Sequence, residues 1–206
     1  DNLKFQEHAF LKTEIYLSNP GFALIPQPFF SEKLASGILS GDKRSIPGSE
    51  AIVMPLESLN ASLTFMISSQ LLSYIRELHP GCLVGHEVSL LLQNFGKRAA
   101  TALHIHLHDT WFYALSVADG MPRLVNTYEY HSPDDLLFFV LSLLTLPEFT
   151  GFPVYLSGSI EEDDARFSVL SKHLPQVEIF RQLPGSDHFR SDAAIPFSVL
   201  PGITLL

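Results

Sequence analysis

Three histidines, His104, His106 and His108, alternate with aliphatic residues, and Asp109 follows directly. Alternation along a strand puts the three imidazoles on one face. Imidazoles and a carboxylate are ligands for zinc or another divalent ion, so these four residues are a candidate metal site for a metal-dependent phosphoester hydrolase. Same-face neighbours lie about 7 Å apart, so the outer pair does not easily share an ion. An ordinary amphipathic strand that packs on another element is the alternative.

A second candidate site follows the predicted strand Pro153–Leu156, where a small turn precedes a helix. Backbone N–H groups at such a helix start can bind phosphate. The turn has a single glycine, and four acids at Glu161–Asp164 follow and repel a polyphosphate. A capped helix start is therefore the alternative. The candidate nucleotide-binding residues, with the hairpin after the histidine strand, are Asp109, Thr110, Ser157, Gly158 and Ser159.

The elements that position these residues follow one plan in the second half of the chain. Three hairpin-linked strands precede two strand–helix crossovers, which is the ribonuclease-H-like plan of the actin-like ATPases. Ser132, Pro133 and two acids form a helix start, and the helix is apolar nearly all round, so we expect burial on most faces. The predicted elements are strands Ala102–His108, Trp111–Val117, Arg123–Tyr130, Pro153–Leu156 and Val177–Phe180, and helices Pro133–Leu146 and Glu161–His173.

The first half has a similar alternation of strands and helices, but its residues do not repeat those of the second half. Its predicted strands are Leu11–Leu17, Phe22–Pro26, Ala51–Leu56, Ser62–Ile67 and Cys82–Val84, and its helices are 31–39, Gln70–Leu78 and Val88–Phe95. We predict a partial first ribonuclease-H-like subdomain over residues 1–96, a second over 97–181, and a C-terminal tail over 182–206. Cys82 is expected to be a small buried residue on its strand.

Composition excludes several classes of function. The net charge is −9 and no block of Lys or Arg is present, which argues against nucleic-acid binding. The apolar run Leu136–Leu146 has about half the length that a bilayer requires, so no membrane insertion is expected. A single cysteine cannot form an internal disulfide and fits a reducing compartment, so we expect a cytoplasmic protein.

Several passages resemble a known family. They are Phe22–Pro26 with Phe29–Lys33, Asn126–Tyr130 with Ser132–Leu136, and Val154–Gly158. The chain resembles an uncharacterised bacterial family, domain of unknown function number 3822, which has an actin-like ATPase fold. The resemblance implies an α/β protein with two related subdomains and mixed sheets. Family members carry strands before the equivalent of Leu11, so we expect a first subdomain that is incomplete at its N-terminus.

Three hypotheses for function follow. The leading one is a degenerate, non-enzymatic actin-like scaffold or interaction protein, because every phosphate loop of the class is missing; it needs no cofactor, and its partner is another protein or a second copy. The alternative is a divergent ATPase that binds ATP and Mg²⁺ at Asp109, Thr110 and Ser157–Ser159. At Ser159 the second glycine of the class's adenosine motif is absent. The third is the metal-dependent hydrolase on the histidine strand.

Overall fold

The computed structural model describes residues 13–41, 48–96, 101–118, 121–180 and 203–204. Residues 42–47, Asp119–Gly120, the start of the predicted strand Leu11–Leu17 and most of the predicted C-terminal tail lie outside these ranges. Contacts group the chain into two units. Unit 1 holds the described residues up to Leu56, together with 61–87 and 203–204, and unit 2 holds residues 57–60 and the described residues from Val88 to Phe180.

Unit 1 contains two three-stranded sheets. Its elements are β1 (Glu14–Leu17), β2 (Phe22–Pro26), α1 (Glu32–Gly41), β3 (Ser49–Leu56), β4 (Ala61–Ser68), α2 (Ser69–Leu78), β5 (Leu83–His86) and β11 (Ile203–Thr204), with a short 3-10 helix at Gln27–Phe29. In one sheet, β1 lies between β5, to which it is parallel, and β11, to which it is antiparallel. In the other sheet, β4 pairs with β2 and β3, both antiparallel.

Helix α3 (Glu87–Gly96) follows β5, and its residues from Val88 onward belong to unit 2. The sequence-based boundary at residue 96 falls at the other end of this helix. The 3-10 helix Glu57–Leu59 also belongs to unit 2. The remaining elements of unit 2 are β6 (Leu103–Leu107), β7 (Trp111–Ala118), β8 (Met121–Glu129), α4 (Pro133–Leu144), β9 (Val154–Gly158), α5 (Ala165–His173) and β10 (Val177–Ile179).

Unit 2 is built on one five-stranded sheet in the order β10-β9-β6-β7-β8. Strand β7 is antiparallel to β6 and β8, while β6, β9 and β10 are parallel to one another. A hairpin-linked trio extended by two crossover strands is the predicted ribonuclease-H-like order, and this prediction is confirmed.

The histidine strand β6 lies at the centre of this sheet, and all five of its residues are buried. On one face, Leu103, Ile105 and Leu107 pack in the core with residues of α4 and α5. The histidines point to the opposite face, as the alternation predicts. A strand buried on both faces is expected at the middle of a sheet that is covered on each side.

Helix α4 begins where the sequence predicts. The Ser132 side chain accepts a hydrogen bond from the Asp135 amide, and Pro133 is the first helical residue. The expectation of burial on most faces is wrong. Leu136 and Val140 are buried against the core, but Phe138 is 65% exposed. The helix packs on one face of the sheet and beside α5, and these contacts do not surround it.

Three local predictions are corrected. Helix α5 begins at Ala165 rather than Glu161, because Asp164 is its N-cap and accepts from the Arg166 amide. Strand β9 extends to Gly158 rather than ending at Leu156. Cys82 precedes β5 in a turn and is half-buried, with its amide donating to the His79 carbonyl.

Within the described residues, no helix combines the length and apolar character needed to cross a membrane.

Candidate functional site

The candidate site lies where the parallel strands of unit 2 end. Strands β6 and β9 run in the same direction, and β8 is parallel to both because it is two antiparallel pairings away from β6. The residues that follow these strands, His108, Tyr130 and Ser159, therefore meet at one edge of the sheet. This edge is where α/β sheets of this type bind ligands.

A two-residue turn, Asp109–Thr110, joins β6 to β7 at this edge. The His108 amide donates to the Trp111 carbonyl at 2.9 Å, and the Tyr130 amide donates to the Thr110 carbonyl at 3.0 Å. The Ser159 hydroxyl donates to the Asp109 carboxylate at 3.3 Å. The turn is thus tight, lacks glycine, and is tied to both neighbouring strand ends.

Arg166 connects these strand ends through its guanidinium group. Its Nη1 donates to the Tyr130 hydroxyl at 2.7 Å and to the His108 carbonyl at 3.3 Å. Its Nη2 donates to the Ser159 carbonyl and to Asp164 Oδ2, and its Nε–H lies 3.0 Å from both carboxylate oxygens of Asp164. We call this set of five residues the Arg166 network. Arginine has five N–H donors, and each has an acceptor here.

Tyr130 completes the network because its hydroxyl also donates to the His108 carbonyl, at 2.6 Å. That carbonyl therefore accepts two hydrogen bonds, and the Tyr130 hydroxyl both donates and accepts. The hydrogen bonds from Arg166 hold the pKa of the Asp164 carboxyl below its usual value, although partial burial acts in the opposite direction. The same bonds raise the pKa of the Arg166 guanidinium. The ion pair is therefore present at neutral pH.

A pocket of about 490 Å³ opens beside the network. The starts of α4 and α5 contribute to its wall, but both helix starts are capped by their own side chains, Ser132 and Asp164. The pocket is lined by Asp109, Thr110, Tyr130, His131, Ser132, Pro133, Asp164, Ala165 and Arg166.

The predicted nucleotide-binding residues are only partly brought together. Asp109, Thr110 and Ser159 lie at the site, and the first and last are hydrogen-bonded. Ser157 is buried within β9, and its hydroxyl shares a hydrogen bond of 2.8 Å with His106 Nδ1 on the histidine face. Gly158 is the last residue of β9 and pairs with Leu107.

Gly158 is required by the close approach of two strands. Its φ is +85°, and a Cβ built on it would lie 2.2 Å from the Leu107 carbonyl oxygen. No side chain fits in that space, and the left-handed backbone favours glycine independently. Strand packing therefore accounts for this glycine without a bound ligand.

The candidate metal ligands divide into two groups. His104 stacks on Phe95, with ring centroids 3.7 Å apart, and also on Tyr155. His106 and His108 have ring centroids 5.2 Å apart, and their potential ligand atoms lie within 4.8 Å of one another. Within the described residues, neither His104 nor Asp109 belongs to a group of three or more potential metal ligands. The structure therefore brings together two of the four predicted ligands.

His108 also stacks on Trp111, with centroids 3.6 Å apart and the ring planes inclined by 20°. Tyr113 meets both rings edge-on. The His108 side chain is thus part of an aromatic cluster on the histidine face, while its backbone carbonyl belongs to the Arg166 network.

Unit 1 has a comparable polar cluster where its parallel strands β1 and β5 end. The Ser18 hydroxyl donates to the Glu87 carboxylate. His86 is fully buried between Phe22 and Phe65, and its Nε2 donates to the Asn19 carbonyl at 3.1 Å. A carbonyl only accepts, so Nε2 of this imidazole carries a proton.

Sequence analysis missed Arg166, Tyr130 and Asp164, which carry the site. One signal was present: Arg166 is the only Lys or Arg between residues 124 and 171, and it follows four acids. A lone guanidinium beside such a cluster indicates an ion pair. Its hydrogen bonds to the His108 and Ser159 carbonyls have no signature in the sequence.

The sheet order of unit 2 and the site at its strand ends define a protein with the actin-like ATPase fold. A crystal structure of a Bacteroides thetaiotaomicron protein, described as having an actin-like ATPase fold and unknown function, is similar to this chain with a TM-score of 0.77 and 17% identity, covering 86% of this chain and 71% of that one. The chain matches the family "Protein of unknown function (DUF3822)" over residues 2–177, and it belongs to that family. No curated protein matches it.

The fold class and the family predicted from the sequence are therefore confirmed. At 17% identity, the likeness to the Bacteroides protein concerns the fold alone. The family and this neighbour are both of unknown function, so a function for this chain has to be argued from its own site.

Proposed function

We propose that this protein is a non-catalytic interaction module that keeps an actin-like fold without nucleotide chemistry. The observation that carries the proposal is the Arg166 network. All five guanidinium N–H groups donate to acceptors of the chain itself, at the strand ends where a phosphate would have to be held. A phosphate at this edge needs donors, and the strongest donor there is fully engaged.

The charge of the surrounding residues supports the same proposal. Asp109 lies in the hairpin turn, and Glu161, Glu162 and Asp163 precede the Asp164 cap of α5. A polyphosphate in the pocket would meet the carboxylates of Asp109 and Asp164 in its wall, and like charges oppose binding. A tight two-residue turn also lacks the run of backbone amides that a phosphate loop provides.

The metal-dependent phosphoester hydrolase remains a second candidate on one observation. His106 and His108 place two imidazoles close enough to share an ion. A catalytic zinc takes three protein ligands, so these two residues supply part of a site.

The proposed interaction module has three further properties: it binds a protein partner, it is cytoplasmic, and it does not bind nucleic acid. These parts of the proposal rest on the acidic composition and on the single cysteine.

Thermal unfolding with millimolar ligand tests the proposal directly. A ligand at a hundred times its Kd adds about 2.7 kcal/mol, which raises the Tm of a chain of this size by roughly 5–10 °C. We expect a shift below about 1 °C with Mg-ATP or Mg-ADP, and no release of phosphate from ATP. A parallel unfolding experiment adds zinc in place of the nucleotide.

The variants Asp109→Ala and His106→Ala make the outcomes specific. A shift of several degrees with Mg-ATP that Asp109→Ala abolishes would overturn the proposal in favour of the ATPase. A shift with zinc that His106→Ala abolishes, together with phosphatase activity, would establish the hydrolase instead. Unchanged melting in both arms supports the interaction module.

A further inference from the structure

Helix α4 carries an exposed apolar face that its contacts in unit 2 leave open. Phe138 is 65% exposed and Leu141 is 38% exposed, at positions i and i+3 of one helix face. Leu137 and Leu144 of the same helix are half-buried, and Leu146, just past the helix end, is 40% exposed. We call Phe138, Leu141 and Leu146 the α4 stripe. Large exposed apolar side chains grouped on one element are typical of interaction surfaces.

The stripe has no charged residue, but the part of the sequence that contains it is strongly acidic. No Asp, Glu, Lys, Arg or His occurs from Leu136 to Pro147. Asp134 precedes this run and Glu148 follows it, and both are exposed. Residues 101–180 contain 11 Asp and Glu against 3 Lys and Arg, one of which is Arg166 in its ion pair. The surface around the stripe is therefore negative at both ends of the helix.

We infer that the α4 stripe binds an amphipathic helix with large apolar anchors and flanking Lys or Arg residues. Exposed apolar side chains one turn apart can pack against the apolar face of a second helix, and Asp134 and Glu148 on either side of the stripe complement basic flanks. A second copy would bring the same acids to both ends, and an anionic lipid surface would be repelled. The inference rests on the proposed function and names its class of partner.

A binding titration with a defined peptide tests the inference. The probe is a labelled helical peptide of about 18 residues with leucine along one face and lysine elsewhere. One control peptide has the same composition in scrambled order, and another has glutamate in place of lysine. Fluorescence anisotropy gives the Kd of each for the full chain. We expect the leucine–lysine peptide to bind at least about tenfold more tightly than either control.

Phe138→Ser is the test variant, and Phe29→Ser is its matched control. Phe29 is 72% exposed and lies in unit 1, so the same chemical change is made away from the stripe. We expect Phe138→Ser to weaken the peptide about tenfold or more and Phe29→Ser to leave it unchanged. Both variants replace exposed side chains, and circular dichroism should show unaltered melting.

Three results would overturn the inference. Equal binding of the scrambled peptide, or an equal loss of peptide affinity in Phe138→Ser and Phe29→Ser, would show that attraction to the acidic surface alone explains the titration. A dimer in sedimentation velocity that Phe138→Ser dissociates would make a second copy the occupant. None of these results involves nucleotide, so the proposed function is judged separately by the Mg-ATP melt.

Discussion

Removing the hydroxyl of Tyr130 tests whether the Arg166 network holds the strand ends together. The Tyr130 side chain is buried, and Tyr130→Phe keeps its ring while deleting one oxygen. Two hydrogen bonds disappear: the one donated to the His108 carbonyl at 2.6 Å and the one accepted from Arg166 Nη1 at 2.7 Å. No other contact of the ring needs to change.

The expected cost follows from these two bonds. A neutral hydrogen bond contributes about 1 kcal/mol, and one to a charged group contributes about 1.5–3 kcal/mol. Part of the loss is recovered, because the His108 carbonyl keeps its bond from Arg166 and the guanidinium is partly exposed to water. We therefore expect Tyr130→Phe to lower the free energy of unfolding by about 2 kcal/mol, or the Tm by roughly 4–8 °C.

The assay can be confined to unit 2. Trp111 is the only tryptophan of the chain, and it lies in β7 of the same sheet. Urea unfolding followed by its fluorescence reports on unit 2, whatever the stability of unit 1. The change in free energy is taken from the shift of the midpoint at unchanged slope.

Tyr128→Phe is the matched control. Tyr128 lies on the same strand, its ring stacks on Phe112 with centroids 5.2 Å apart, and within the described residues its hydroxyl makes no hydrogen bond. We expect this variant to unfold within about 0.5 kcal/mol of the parent. If Tyr130→Phe were equally neutral, or if both variants lost the same amount, the reasoning about the network would be refuted.

Two further predictions concern the same edge of unit 2. Gly158→Ala should lower the free energy of unfolding by more than about 2 kcal/mol, because its Cβ meets backbone, whereas Gly151→Ala, at φ +79° with open space, should cost only about 1 kcal/mol. Urea titrations of both variants separate steric clash from backbone strain. Asp164 has a lowered folded-state pKa, so its stabilising effect is present above the unfolded pKa of about 3.9 and is lost as pH falls through the folded pKa. Asp164→Asn should therefore have a flatter stability profile than the parent below about pH 4, and identical acid profiles would contradict this.

The sheet order could be predicted because local signals specify it. Alternation identified the histidine strand, and Ser132–Pro133 identified the helix start that follows the strand trio. The end of β9 was misplaced because Ser157 and Gly158 have the residue types of a turn. In the folded chain they pair with β6, and this long-range pairing outweighs local preference.

The site was less predictable than the fold for a different reason. The Arg166 network depends on a long side chain that reaches carbonyl groups of residues 108 and 159, and backbone acceptors have no sequence signature. The exposed face of α4 was missed because periodicity reports hydrophobicity and not the area available for packing. An all-apolar helix beside a single sheet and one neighbouring helix leaves part of itself uncovered.

The Arg166 network also bears on how easily this site could change during evolution. Replacing Arg166 alone removes the guanidinium donors of the Asp164 carboxylate and of the Tyr130 hydroxyl, and polar groups that lose a hydrogen-bond partner away from water are costly. Gaining a phosphate loop would require, in addition, a longer hairpin and fewer acids around it. A single substitution at Arg166 therefore changes both the charge of these strand ends and the stability of unit 2. Because the network couples the two properties, we expect the residue types at this edge to change together rather than one at a time.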